Sequence, residues 1–179
     1  LTLSRHFLSA YDLLADAYVK LNKLPEAQQT LKRVVEVSPR TLERSQRLAS
    51  LSQTIEDWQV AELSYARVVR LAKESSFDKV EIYYDHLKSI TDCITHGVDD
   101  NKLADRFKRS LGRLRQLGKN NPTAVSNSFR LEIQQLLARK HTSEAVKSWH
   151  TWNKLIQSGR ASKMTEAQEF TLKKHLGLN

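Results

Sequence analysis

Residues 11–35 read YDLLADAYVKLNKLPEAQQTLKRVV, and residues 45–69, thirty-four positions later, read SQRLASLSQTIEDWQVAELSYARVV. Laid over one another, Leu14-Ala15 falls on Leu48-Ala49, Ala27 on Ala61, Arg33 on Arg67, and Val34-Val35 on Val68-Val69. Leu24 against Trp58 and Leu31 against Tyr65 exchange one bulky apolar side chain for another. A packing plan written twice at a fixed period marks a repeat architecture, in which each unit buries its apolar face on the next. Leu14 and Leu48 are therefore expected at equivalent packed positions, as are Ala27 and Ala61.

The spacing inside each copy says what the unit is. Tyr11, Leu14, Ala15 and Tyr18 fall on one helical face by the three-and-four rule. Asn22-Lys23 makes a turn, and Leu24, Ala27, Leu31, Val34 and Val35 form the apolar stripe of a second helix. Two helices approach closely only where side chains are small, which puts Ala15 and Ala27 at the crossing. Pro39 ends the second helix or opens the next segment, because proline lacks an amide hydrogen and clashes with a preceding helical turn.

The set Tyr11, Leu14, Ala15, Tyr18, Ala27, Leu31, Val34 and Pro39 resembles the tetratricopeptide repeat, with Ala15 where glycine is usual. Ser45, Leu48, Ala49, Ser52, Trp58, Ala61, Tyr65 and Val68 resemble a looser second copy, with serine at two usually large positions and Lys73 where the proline would stand. The resemblance implies antiparallel helix pairs stacked as a right-handed α-solenoid, with the first helix of each pair facing a groove that receives a peptide or partner helix. It thereby implies Ser9, Asp12, Asp16 and Val19 as groove residues of the first unit. Glu43, Gln46, Ser50 and Gln53 are their equivalents in the second. These side chains are acidic or neutral, unlike the basic clamp by which some relatives hold a peptide's terminal carboxylate. Residues 34–75 are also similar to the repeat region of bacterial proteins that join a phosphoreceiver domain to such repeats. That implies a place in two-component signalling as a response-regulator output or adaptor, with any phosphoacceptor outside this chain.

Working outward, the pattern predicts a helix over 78–96 interrupted by Gly97, and another over 101–117 with Leu103, Phe107, Leu111 and Leu114 in register. The sequence GKNNP at 118–122 is a break in which glycine closes one helix and proline opens the next. Further helices are predicted over 123–139 and 142–157, around Phe129, Ile133, Leu136, Leu137, Ala145, Trp149, Trp152 and Ile156. A last helix, Thr165–Leu176, is expected to cover the end of the stack. The total is about nine helices in one repeat domain over 1–179. Its clearest units run at about 8–41 and 42–75, with divergent pairs at about 78–118 and 123–158 and a terminal helix at about 164–176. A long all-α bundle is the structural alternative. The chain opens without methionine and with apolar Leu3, Phe7 and Leu8 at once, so a portion of a longer protein is expected; a processed terminus would look the same.

Composition agrees with a folded helical chain. Hydrophobic residues make up 40% of the 179 residues and charged ones 27%, and only five glycines and three prolines interrupt them. No run of about eighteen apolar residues occurs, so no membrane span is expected. Cys93 is the only cysteine. An internal disulfide is impossible, and a reducing, cytoplasmic setting is the plain expectation. The formal charge of +9 lies mostly beyond residue 75.

No motif for chemistry stands out, and neither cofactor nor metal is expected. His6, His86, His96, His141, His150 and His175 are scattered without metal-binding spacing. No phosphate-cradling glycine loop or nucleophile elbow occurs. The chain reads as a non-catalytic module that binds a protein or peptide. The rival reading uses the basic segment 102–119, whose Lys102, Arg106, Arg109 and Arg113 form a stripe suited to an acidic protein or to nucleic acid. Lys108, Arg115 and Lys119 add to it against the single acid Asp105, and the same residues also suit an ordinary solvated face. Tyr83-Tyr84 and Trp149/Trp152 fit either core packing or a partner interface.

Overall fold

A computed structural model of the chain describes residues 5–75 and 77–178, apart from the side chains of Arg5, His6 and Asn101. Leu3 and the His6 side chain thus lie outside the described residues. The described residues form nine α-helices and no strand. These are α1 (Arg5–Lys20), α2 (Leu24–Val37), α3 (Leu42–Thr54), α4 (Trp58–Lys73), α5 (Val80–Thr95), α6 (Asn101–Leu117), α7 (Pro122–Ala138), α8 (Thr142–Gln157) and α9 (Glu166–Leu176). None is long and apolar enough to cross a membrane. By contact the chain falls into two compact units, Leu1–Asp78 and Lys79–Asn179.

In the first unit α1 packs on α2, α2 on α3 and α3 on α4. Ala15, Ala27, Ala49 and Ala61 are all but fully buried, so the helices meet where only a methyl group intervenes. Leu31, Val34, Val35 and Leu48 join Ala15 in one core cluster, with Leu8, Tyr11, Leu51 and Val60 against it. Leu14 departs from expectation. It is 43% exposed whereas Leu48 is 4% exposed. Leu48 packs in the cluster that α2 supplies, but among the described residues no helix precedes α1 to cover Leu14 in the same way.

Polar bonds stitch the same unit. Asp12 on α1 accepts from Arg44 Nε at 3.1 Å and Arg44 Nη2 at 2.7 Å, and Asp16 one turn later pairs with Arg47. The numbers rise together on both helices, so α1 and α3 run in the same direction, as alternate helices of antiparallel pairs must. Asp57 caps α4 by accepting from the Val60 amide, and also from Gln28 Nε2 on α2 at 2.7 Å.

One turn geometry closes every pair. The second residue after α1, α3, α5 and α7 takes a left-handed backbone: Asn22 (φ 55°), Glu56 (φ 61°), Gly97 (φ 82°) and Lys140 (φ 61°). The next amide then bonds back five residues, Lys23 to Tyr18, Asp57 to Ser52, Val98 to Cys93 and His141 to Leu136, at 2.8–2.9 Å. This is the Schellman closure, which satisfies carbonyls that the helix end leaves open. Its recurrence at positions 22, 56, 97 and 140 shows helix-pair construction in both units, including the stretch where the sequence repeat has faded.

In the second unit α5 packs on α6 and α7, α7 on α8, and α9 on α8. Leu103, Phe107, Leu111 and Leu114 are buried as their register predicts. Phe129, Ile133, Ala145, Trp149, Trp152, Leu172 and Leu176 form the main core cluster. Trp152 is 1% exposed and donates from Nε1 to Ser126 Oγ at 3.2 Å, so both tryptophans are core residues. Tyr83 is likewise fully buried, while Tyr84 is only half-buried.

Candidate functional site

A groove of about 670 Å³ opens within the second unit, walled by α5, α7 and α9. From α5 come Thr91, Asp92 and Thr95, and from α7 Arg130, Gln134, Leu137 and Ala138. From α9 come Met164 (just before its start), Ala167, Gln168, Thr171, Leu172 and His175. These positions recur at three and four residues along each helix, which puts them on one face. Two of the walls, α5 and α7, are the first helices of their pairs. The terminal helix therefore does more than cover an end: one face buries Leu172 and Leu176 in the core, and the adjoining face lines the groove.

The rim is less polar than its residue types suggest. Thr91 donates its hydroxyl hydrogen to Leu87 O at 2.9 Å, Thr95 to Thr91 O at 2.8 Å and Thr171 to Ala167 O at 2.8 Å. Each hydroxyl proton is spent on its own helix. Gln168 accepts from the Thr165 amide through Oε1, completing the capping box that starts α9. Leu137, Ala138, Met164, Ala167 and Leu172 supply an apolar floor. Arg130 Nη2 donates to the Tyr84 hydroxyl at 2.7 Å, which fixes the guanidinium between α7 and α5.

A second hollow of about 230 Å³ lies toward the starts of α5 and α7, lined by Val80, Glu81, Tyr84 and Asp85 of α5 and by Asn121, Thr123, Ala124 and Asn127 opposite, with Leu114 beneath. Low numbers face low numbers here and high face high in the larger groove, so α5 and α7 are parallel. Burial holds the Asp85 carboxyl above the usual carboxylate range. Lys88 opposes that shift and Glu81, one turn earlier, adds to it.

The residues expected to line a groove from sequence sit on α1 and α3. Ser9, Asp16, Val19, Glu43 and Ser50 are exposed, and Asp12, Gln46 and Gln53 are half-buried. Asp12 and Asp16 are held by Arg44 and Arg47, and Gln53 lies 3.5 Å from the Tyr65 hydroxyl. The structure thus gives the two aspartates a part in joining α1 to α3. The groove on α5, α7 and α9 lies outside the sequence expectation because these copies of the repeat are divergent; the signal in the sequence is the stripe Ala167, Gln168, Thr171, His175 on α9, with Met164 just before it.

The basic stripe on α6 has Lys102 and Arg109 exposed and Arg106 and Arg113 half-buried. Arg113 Nη1 donates to Gln116 at 2.7 Å. Arg115, counted with the basic segment, turns inward: it pairs with Glu132 at 2.9 Å, donates to Ser128, and lies 4.3 Å from the Phe129 ring centroid. His86 is buried against Ser110 at 2.9 Å, and His141 stands 3.0 Å from Glu144. Among the described residues no group of three or more His, Cys, Asp or Glu is placed to hold a metal ion. No family model matches the chain, and no curated protein matches it.

Proposed function

We propose that this chain is a non-catalytic protein-binding module that receives a partner's peptide or helix in the groove of α5, α7 and α9. One observation carries the reading: α5, α7 and α9 enclose a concavity of about 670 Å³ whose apolar floor, from α7 and the α9 segment, is edged by Arg130, Gln134 and His175. Such a surface offers apolar area with a few orienting polar groups, which is how a helix or strand segment is gripped. The tetratricopeptide-like pattern of residues 11–69 supports the same reading, and so does the recurring turn closure. An output or adaptor role in two-component signalling, in the cytoplasm, extends this proposal on the resemblance of residues 34–75 and on the lone, buried Cys93.

The test is site-specific photo-crosslinking. A photoreactive residue at Gln134 or Thr171 in the groove is compared with one at Lys108 on α6, in extract of the source cells. A discrete protein adduct from the two groove positions and none from Lys108 is the expected outcome. Adducts confined to Lys108 would reject the groove. For the rival reading, duplex DNA and single-stranded RNA are titrated across a salt series with wild type and with Arg106/Arg109/Arg113→Glu. A steep salt dependence that the triple substitution flattens would favour nucleic acid.

A further inference from the structure

The larger groove and the smaller hollow lie on one stripe of α5, on which Glu81, Tyr84 and Asp85 line the hollow and Thr91, Asp92 and Thr95 line the groove, with Lys88 between them by helical spacing. On α7 the matching stripe runs through Thr123, Asn127, Arg130, Gln134 and Leu137. The two hollows thus lie along the same two helices, separated by between two and three helical turns, about 13 Å, with the Arg130–Tyr84 hydrogen bond crossing between them. Their chemistry differs. One end has an apolar floor edged by Asp92, Arg130 and His175; the other carries Glu81 and Asp85 among amides and hydroxyls.

We propose that the segment docking along these two helices carries a lysine or arginine about 13 Å from its apolar anchor, with the cation seated against Asp85 and Glu81 and the anchor on Leu137, Met164 and Leu172. The inference rests on the groove being a docking site and names the chemistry of its occupant.

Three observations support it. Asp85 is half-buried, lines the hollow and has no hydrogen bond or ion pair among the described residues; Lys88, one turn on, acts on it only through its charge, and burial outweighs that. Glu81 and Asp85 stand four residues apart on one helix, a like-charge spacing that disfavours the helix itself. Glu81 is favourable in the first turn of α5, where acids suit the helix dipole, but Asp85 is too far along to share that benefit. Finally, Arg130 edges the larger groove and is held on the Tyr84 hydroxyl of the hollow, so a cation placed there is repelled and the charged end of the partner is fixed in direction.

A library of random twelve-residue peptides displayed on phage is selected on the full chain, and the recovered peptides are measured by calorimetry. The expected peptides share a lysine or arginine at a fixed distance from an apolar residue. Asp85→Asn weakens them about tenfold, and replacing the peptide's cation by norleucine removes that sensitivity. Thr171→Trp, at an exposed position that fills the apolar end, abolishes binding with the fold intact by circular dichroism. Peptides that respond to Thr171→Trp but lack a cation, or ignore Asp85→Asn, overturn this inference and leave the groove standing. Failure to recover peptides, or recovered peptides indifferent to Thr171→Trp, overturns the groove reading and the inference with it.

Discussion

Gln28 and Asp57, twenty-nine positions apart, are joined by a 2.7 Å hydrogen bond from Nε2 to Oδ2, and the same nitrogen donates to Ser52 Oγ at 2.9 Å. A single buried amide on α2 thereby ties the end of α3 to the start of α4. Lys32 reaches the same Asp57 oxygen at 3.4 Å.

Asp57 and Asp85 should respond to pH with opposite signs. Burial pushes the Asp57 carboxyl up, but hydrogen bonds from Gln28 and the Val60 amide, together with Lys32, outweigh it and hold it below the usual range. Its stabilisation is present above the unfolded-state pKa, near 4, and is lost as pH falls through the lower folded value. Asp85 is held above the usual range, so its neutral form suits the fold, and stability is lost as pH rises through that higher value. Asp57→Ala should cost about 1–2 kcal/mol at neutral pH through the lost cap and flatten the acid side of the profile. Asp85→Asn should raise the denaturation midpoint at pH 7. Urea unfolding from about pH 2 to pH 7 reads both effects.

Gly112 and Gly118 should answer alanine in opposite ways. A Cβ at Gly112 meets nothing within 4 Å, and the residue lies inside α6. Gly112→Ala should therefore stabilise by about 0.5–1 kcal/mol through the restricted unfolded chain. At Gly118 a Cβ would stand 2.6 Å from Ala124 Cβ and 3.0 Å from Leu114 O. Gly118→Ala should destabilise by roughly 1–3 kcal/mol, because α6 and the start of α7 must part. Thermal melts of the two variants side by side are the measurement.

The left-handed residues Glu56 and Lys140 hold a conformation that disfavours side chains with a Cβ. Glu56→Gly and Lys140→Gly should each stabilise by about 0.5–1 kcal/mol despite glycine's entropy in the unfolded chain. Proline at either position, whose ring requires a negative φ, should be strongly destabilising. Chemical denaturation midpoints in the order glycine, wild type, proline would establish the turn.

Ala27 and Ala61 are 0% and 1% exposed at equivalent crossings. Ala27→Leu and Ala61→Leu should each cost roughly 1–3 kcal/mol by overpacking, while Ala→Gly at the same sites opens no large void. Unchanged melting midpoints for both leucine variants would place the crossing elsewhere.

Much of the fold was legible in residue order because helix pairs are built from local spacing. The recurrence of Leu48-Ala49, Ala61 and Val68-Val69 at an offset of thirty-four from their first copies gives the pairs, and predicted helix limits such as 101–117 and 142–157 coincide with α6 and α8. Buried alanines, the proline at the start of α7 and the register of Leu103, Phe107, Leu111 and Leu114 follow from the same local rules.

Other features depend on what lies across a gap, which no local pattern records. Leu14 and Leu48 hold the same place in the repeat, each followed by alanine, yet only Leu48 is covered, because cover comes from a separate helix. Glu56 and Lys140 are not turn residues by type; the requirement that two packed helices reverse within three residues imposes the left-handed backbone on them. Arg115 reads as one more surface cation until Glu132 and Phe129, both on α7, come within its reach. The groove is the strongest case. Its lining draws several residues each from α5, α7 and α9, helices whose own sequences carry no shared mark, and only their packing brings Asp92, Leu137 and Thr171 to one surface. Sequence by itself determined the helices and their pairing, since those arise from contacts three and four residues apart. Tertiary packing decided which faces meet and what concavity they leave, since those depend on contacts between residues far apart in the chain.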